Sequence, residues 1–234
     1  MIEPLKDQFP GSNSNYYSVQ HWADVSDGEI GVTLSPIESH LVEFGGLWPC
    51  YVSQAHHGVT PPDFGRAFVK ADELKKGYMY SFAMDSNFRT NFQPVQQGDM
   101  LFRYSVSTHK GDWRKGGVRR FGWSVGNPLM AAVVEGKRQG KLEKKASFCQ
   151  VDTPNVMVLT LKRAEDGDGI ILRLIETEGE GLKTRISMPA LTIRKAYRTD
   201  LVEKNISELA SAEHSVVAPV EPFGITTIRI QPGG

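Results

Sequence analysis

Amides, a hydroxyl and a guanidinium alternate with two phenylalanines in the stretch Asp85, Ser86, Asn87, Phe88, Arg89, Thr90, Asn91, Phe92. Oriented hydrogen-bonding groups beside aromatic faces suit a sugar, whose hydroxyls need directed partners while its C–H faces stack on rings. The same residue types also build an ordinary long loop, with the phenylalanines anchoring it to a sheet and the asparagines satisfying turns. Residue types alone leave both readings open.

Other groups are weaker candidates for chemistry. Glu176, Glu178 and Glu180, or Asp166 and Asp168, could supply the paired carboxylates of a glycosidase, which must face each other about 5–9 Å apart across a sugar. Set beside glycines, both clusters read instead as solvated acidic turns with ordinary acidities. His56 and His57 with Asp63 are metal-ligand types, but neighbours on an extended chain point to opposite faces and chelate poorly as a pair. His21, His40, His109 and His214 stand alone and read as structural or exposed. The segment from Asp112 to Trp123 is basic and holds three aromatic residues, a pattern that can clamp an anion or stack a sugar. In a neutral chain it reads as an exposed loop joining two strands. Asn205-Ile206-Ser207 is a glycosylation sequon that matters only on secretion from a eukaryotic cell. No Gly-x-Ser-x-Gly, Walker A, Gly-x-Gly-x-x-Gly or His-Glu-x-x-His pattern occurs.

The elements that must position these residues are short strands. Tyr78–Met84 and Met100–Val106 flank the polar loop. Earlier strands are expected at Tyr16–Val25, Glu29–Leu34 and Leu41–Phe44. Strand-like pieces follow at Phe121–Val125 and Met130–Val134. Asn155–Lys162 and Gly169–Glu176 enclose a turn-rich Ala164–Asp168 and predict a β-hairpin. Further strands are expected at Lys183–Met188, Leu191–Ala196 and Ile225–Ile230, with a short helical turn within Thr199–Leu209. Glu135–Ala146, charged and holding two glycines, reads as the boundary between two β units. The expected layout is a loosely ordered residue 1–15 stretch, a first β unit over 16–140 and a second over 147–234. Short strands with Gly, Asp and Pro punctuation and few helices predict an all-β antiparallel sandwich class.

The 234 residues can bury a substantial core. Lys plus Arg (27) balances Asp plus Glu (27), which argues against nucleic acid or a polybasic membrane contact as partner. The longest apolar runs are strand-sized, so no membrane span is expected. Cys50 and Cys149 are too few for a disulfide framework and set no compartment.

Four stretches together resemble one family. Trp22–Gly46 (WADVSDGEIGVTLSPIESHLVEFGG), Ser81–His109, Ser147–Glu180 and Ala196–Ile230 resemble, in order, the C-terminal β region of family-38 glycoside hydrolases, the α-mannosidases. The resemblance implies the closing portion of a large supersandwich followed by a small C-terminal β-sandwich. In that family a zinc ion, held by two Asp and two His, and a nucleophilic Asp lie in an N-terminal α/β barrel, of which this sequence holds nothing recognisable. The implied role is therefore non-catalytic, with no cofactor in this chain and zinc in an absent catalytic domain. The implied partners are that barrel and a mannose-containing carbohydrate. Asn87, Arg89, Thr90 and Asn91 match the family's loop and become the candidate substrate-binding residues. A stand-alone carbohydrate-binding β-sandwich using Trp or Phe platforms, and a purely structural interaction domain, are the competing readings.

Overall fold

The computed structural model describes residues 3–10, 12–46, 69, 71–84, 95–136, 140 and 144–233. They fall into two compact units, residues 2–132 and 133–234.

In the first unit, strands β1 (Tyr17–Ser18), β4 (Leu41–Phe44) and β5 (Met79–Ser81) form one antiparallel sheet in the order β1-β4-β5. Strands β2 (Ala23–Ser26), β3 (Ile30–Pro36) and β6 (Tyr104–Lys110) form another, in the order β2-β3-β6. The β2–β3 turn is fixed locally: Asp27 Oδ1 accepts from the backbone N–H of Glu29 at 2.8 Å and of Ile30 at 2.9 Å. The expected strand Tyr16–Val25 is thus two short strands belonging to different sheets. The strands flanking the polar loop also part company, β5 pairing with β4 and β6 with β3. At the head of the unit, Ser14 and Asn15 are buried and tied to Val69: Ser14 Oγ donates to Val69 O at 3.0 Å, and Val69 N donates to Asn15 Oδ1 at 2.9 Å.

Where a strand was expected at Phe121–Val125, the chain forms helix α1 (Val118–Gly126). Val118, Phe121, Gly122 and Val125 recur at helical spacing, and Val118 and Gly122 are buried. Glycine inside a helix costs about 1 kcal/mol relative to alanine. Here contact demands it, because a Cβ on Gly122 would lie 2.7 Å from Trp22 Cδ1 and 2.9 Å from His21 O. Met130–Val134 runs on without strand pairing.

The second unit is a β-sandwich. Strands β7 (Gln150–Val151), β10 (Leu182–Ser187), β13 (Ser211–Ala212) and β14 (Ser215–Val220) make a four-stranded sheet, β13-β14-β10-β7. Strands β8 (Val156–Arg163), β9 (Ile170–Glu176), β11 (Ile193–Thr199), β12 (Asn205–Glu208) and β15 (Ile225–Pro232) make a five-stranded one, β12-β11-β15-β9-β8. All pairings are antiparallel, and the expected β8–β9 hairpin is present. Leu172, Leu174, Ile186, Val216, Ile228 and Ile230 are fully buried in a core drawn from both sheets. The helical turn expected within Thr199–Leu209 is instead a turn followed by β12. Gly169, closing the β8–β9 loop at φ 93°, is held close to the last strand; a Cβ there would meet Ile230 O at 2.4 Å. The all-β antiparallel class holds, with α1 the one α-helix among the described residues.

Candidate functional site

Asn87, Arg89, Thr90 and Asn91 lie outside the described residues, as do His56, His57 and Asp63. The strands bordering the polar loop lie in different sheets but are linked by one side-chain hydrogen bond, Ser81 Oγ and Tyr104 Oη being 2.8 Å apart.

The basic aromatic segment forms a ring cluster around α1 rather than a strand-joining loop. Trp22 and Trp113 have centroids 5.9 Å apart, and the Arg114 guanidinium sits 4.1 Å from the Trp113 centroid. His21 and Trp123 approach to 4.4 Å. Burial, helped by the nearby His40 charge, lowers the His21 pKa. These half-buried rings already have neighbours, and the close seat of Trp22 on Gly122 makes them packing for the helix. That arrangement disfavours them as open sugar platforms.

His109 does not stand alone. Its Nε2 lies 2.8 Å from Asp24 Oδ1, to which Thr33 Oγ1 also donates at 2.7 Å. The His109 and Asp24 side chains are each only 6% exposed. A His–Asp pair is the orienting half of many catalytic triads. Here the ring is enclosed by glycine backbone, with hypothetical Cβ atoms on Gly31 and Gly116 only 2.2 and 2.3 Å from it. His109 Nδ1 is buried and meets no hydrogen-bond partner among the described residues. With glycine backbone leaving no room for a substrate at the ring, the pair serves packing.

In the second unit Glu176 and Asp166 are each held by donors; Glu176 lies in the core against the expectation of solvated charge, whereas Asp166, Asp168 and Glu180 are exposed as expected. Glu176 is fully buried. Its Oε1 accepts from Asn155 Nδ2 at 2.8 Å and Glu178 N at 2.7 Å; its Oε2 accepts from Gly179 N at 2.7 Å, Glu180 N at 3.1 Å and Phe223 N at 2.9 Å. Burial pushes its pKa up, but donation from the Phe223, Glu178 and Gly179 amides and from Asn155 outweighs it and holds the pKa below the usual range. The signal lay in the alternation: Leu172, Leu174 and Glu176 occupy every second position of β9, so Glu176 falls on the core side.

Asp166 is bound by Arg229, whose Nη1 donates to Asp166 Oδ1 at 2.8 Å and to Asp168 O at 2.7 Å, while Nη2 donates to Glu203 O at 2.8 Å. Lys162 bridges Glu203, at 2.7 Å, and Glu165. Glu165, Asp166, Asp168, Glu203 and Arg229 line an open cleft of about 350 Å³. The Arg229 hydrogen bond holds the Asp166 pKa low, and the Lys162 hydrogen bond does the same for Glu203. A glycosidase acid needs the opposite, a carboxyl kept protonated near neutral pH. The cluster is a clamp that ties the β8–β9 loop and the β11–β12 turn to β15.

The folded chain is thus an all-β protein of the sandwich class, and its recognition comes from comparison with known proteins. Residues 155–228 match the sequence model for the glycosyl hydrolases family 38 C-terminal beta sandwich domain. The chain is 23% identical over 217 residues to alpha-mannosidase 2C1 of Mus musculus, covering 84% of this chain and 20% of that protein. It is 21% identical over 174 residues to alpha-mannosidase G of Dictyostelium discoideum, covering 71% and 16%. Among solved structures it resembles an alpha-mannosidase from Enterococcus faecalis, with TM-score 0.55 and 15% identity over 93% of this chain and 21% of that one. A second structure, of an Enterococcus faecalis protein in the glycosyl hydrolase family 38, matches equally at TM-score 0.55 and 15% identity, over 93% of this chain and 23% of that one. At that identity the structural likeness speaks for the fold. Together these matches support a C-terminal β region of glycoside hydrolase family 38, with residues 155–228 matching that family's sandwich domain, and the chain spans about one fifth of the length of these relatives.

The zinc expected in that family's catalytic domain does not fit the described residues. No group of three or more His, Cys, Asp or Glu among them could hold a metal ion. The nearest approach, His109 with Asp24, offers two groups already engaged with each other.

Proposed function

We propose that this chain is the non-catalytic β portion of an α-mannosidase-like glycoside hydrolase, supporting a zinc-dependent catalytic barrel carried elsewhere in the parent polypeptide. One observation carries the reading: 93% of the chain maps onto about one fifth of a protein described as an alpha-mannosidase, with the family's C-terminal sandwich at 155–228. The carboxylates of the second unit support the non-catalytic part. Asp166, Glu176 and Glu203 are all held ionised by donors, so none of them is suited to act as a proton donor at neutral pH. The loop Asn87–Asn91 shapes the carbohydrate cleft of the parent, its amides and guanidinium offering directed bonds to mannose hydroxyls.

The test is an assay of the purified chain against activated aryl α-mannosides, with and without zinc. No turnover is expected, because retaining hydrolysis needs a nucleophilic carboxylate, a second carboxyl group and a preorganised pocket, which together lower the barrier by at least about 8 kcal/mol. Turnover that co-purifies with the chain and is lost on mutating one of its own carboxylates would overturn the proposal.

A further inference from the structure

The turn that leads into β15 puts an aromatic residue where turn chemistry asks for glycine. Gly224 N donates to Glu221 O at 2.9 Å, which closes a four-residue turn with Pro222 and Phe223 at its centre. Phe223 has φ 51°. Proline followed by a residue of positive φ is the pattern of a type II turn, whose third position favours glycine or asparagine because other side chains are strained there. Gly224 stands one position too late to fill it. Burial does not offset the strain, since Phe223 remains 48% exposed. The ring rests by one edge on Gly179, where a Cβ would lie 2.7 Å from Cε2, 2.9 Å from Cζ and 3.5 Å from Cδ2. Its backbone is held from below by Glu176, whose Oε2 accepts from Phe223 N, Gly179 N and Glu180 N. Both turns, β9 to β10 and β14 to β15, cross from one sheet to the other, so this anchor fixes the aromatic on an end of the sandwich. Ile225, 52% exposed, continues the apolar surface. Glu180 and Glu221 flank Phe223 in the two turns, both exposed, and neither turn holds a Lys or Arg.

We propose that Phe223 is a stacking platform for a neutral sugar, which makes this end of the second unit an accessory carbohydrate-binding site. A pyranose presents an apolar C–H face that stacks on an aromatic ring and hydroxyls that need directed acceptors. Phe223 and Ile225 supply the first, the Glu180 and Glu221 carboxylates the second. Ordering a loose side chain on binding costs affinity, and the Glu176 anchor has already fixed this one. An apolar protein surface fits worse, because it would bury Glu180 and Glu221 without partners. The choice of a mannose-containing glycan rests on the parent reading above; the platform itself does not.

The experiment titrates α-linked mannotriose into the isotope-labelled 234-residue chain and follows backbone amide chemical shifts. Weak, saturable shifts are expected at Gly179, Glu180, Phe223 and Gly224. Phe223→Gly removes the ring and the left-handed strain together, so binding weakens about tenfold or more while Tm moves by less than about 4 °C. Should that variant fail to fold, Phe223→Asn, which the turn position also accepts, gives the same two readouts. Collapse of both variants makes the ring structural and overturns the proposal. The absence of any saturable shift overturns it, as do shifts that persist unchanged in Phe223→Gly. A lysine-rich peptide that moves these amides where mannotriose does not also overturns it, because the site would then serve a cation. An equal response to maltotriose upholds the platform and removes only the mannose assignment. The two readings fail separately. If the longer protein encoded with its upstream sequence is inactive on α-mannosides while the chain still binds at Phe223, the proposed activity alone falls. An active longer protein without binding at Phe223 sinks the platform alone.

Discussion

Replacing Glu176 by glutamine changes one atom at the point where the second unit concentrates its backbone donors. The native carboxylate accepts four backbone N–H groups and the Asn155 amide, and no cation lies among those partners. Glutamine keeps one oxygen but turns the other into an NH₂ that itself donates. Whichever way the amide is set, at least two N–H groups then face a donor inside a fully buried site. A buried donor left without an acceptor costs about 1–3 kcal/mol, and charge-assisted bonds lie toward the upper end. Two such losses predict destabilisation of about 3–5 kcal/mol, a large share of a domain stability of about 5–15 kcal/mol. For a unit of this size that lowers Tm by roughly 12 °C or more. Thermal unfolding followed by circular dichroism reads it directly. The pH dependence supplies a second arm. Because the folded pKa lies below the unfolded one, the carboxylate's contribution is complete above the reference pKa of 4.5 and is lost as pH falls through the folded value. The gap in Tm between wild type and Glu176→Gln should therefore be full at neutral pH and shrink on acidification. Comparing the two proteins cancels the other low carboxylates, Asp152, Asp166 and Glu203. A neutral-pH gap under about 4 °C, or one that does not change on acidification, refutes the reasoning.

Trypsin should cut first within Glu135–Ala146 and leave two resistant pieces, since the described residues of that stretch include exposed Lys144 and Lys145; early cuts inside Met157–Ile175 would reject the boundary. Asn91→Ala in the longer protein should lower kcat/KM roughly tenfold or more, about 1.4 kcal/mol of transition-state binding, with Tm unchanged. Unaltered kinetics there would remove the loop from substrate binding. Gly122→Ala sets a helix-propensity gain of about 1 kcal/mol against overpacking of about 1–3 kcal/mol on Trp22. A lower Tm with altered tryptophan fluorescence is expected, and a stabilised variant would show that the Trp22 seat yields.

The strands with strong local pattern were legible in the sequence: β4 and β9 fall within the stretches their composition marks, and β3, β8 and β15 overlap theirs and run one or two residues further. Helix α1 was hidden because Phe121, Trp123 and Val125 are good strand residues and Gly122 reads as a breaker. Only its fit against Trp22, far away in the sequence, turns that glycine into an advantage. β14 was missed because Pro219 argues against a strand, yet the pairing with Lys183 of β10 accommodates it near the strand end. Glu176 illustrates a different failure, in which charge type outweighed position: the two-residue rhythm of β9 placed it inside, but its acidic neighbours suggested solvent. The clamp on Arg229 was not legible at all, since its partners come from turns at 166–168 and 203 that only the folded sheet brings together.

The place of β15 in its sheet governs how the second unit can be made. The last strand in sequence is the middle one in space, lying between β11 and β9 and contributing Ile228 and Ile230 to the core. While a ribosome is still adding residues before Ile225, the β8–β9 and β11–β12 pairs exist without the strand that joins them, and each presents a bare inner edge. Such edges invite pairing with other chains. Closure of the sheet therefore waits until Ile225–Pro232 is free to pair with both β11 and β9, and until then the two edges stay apart.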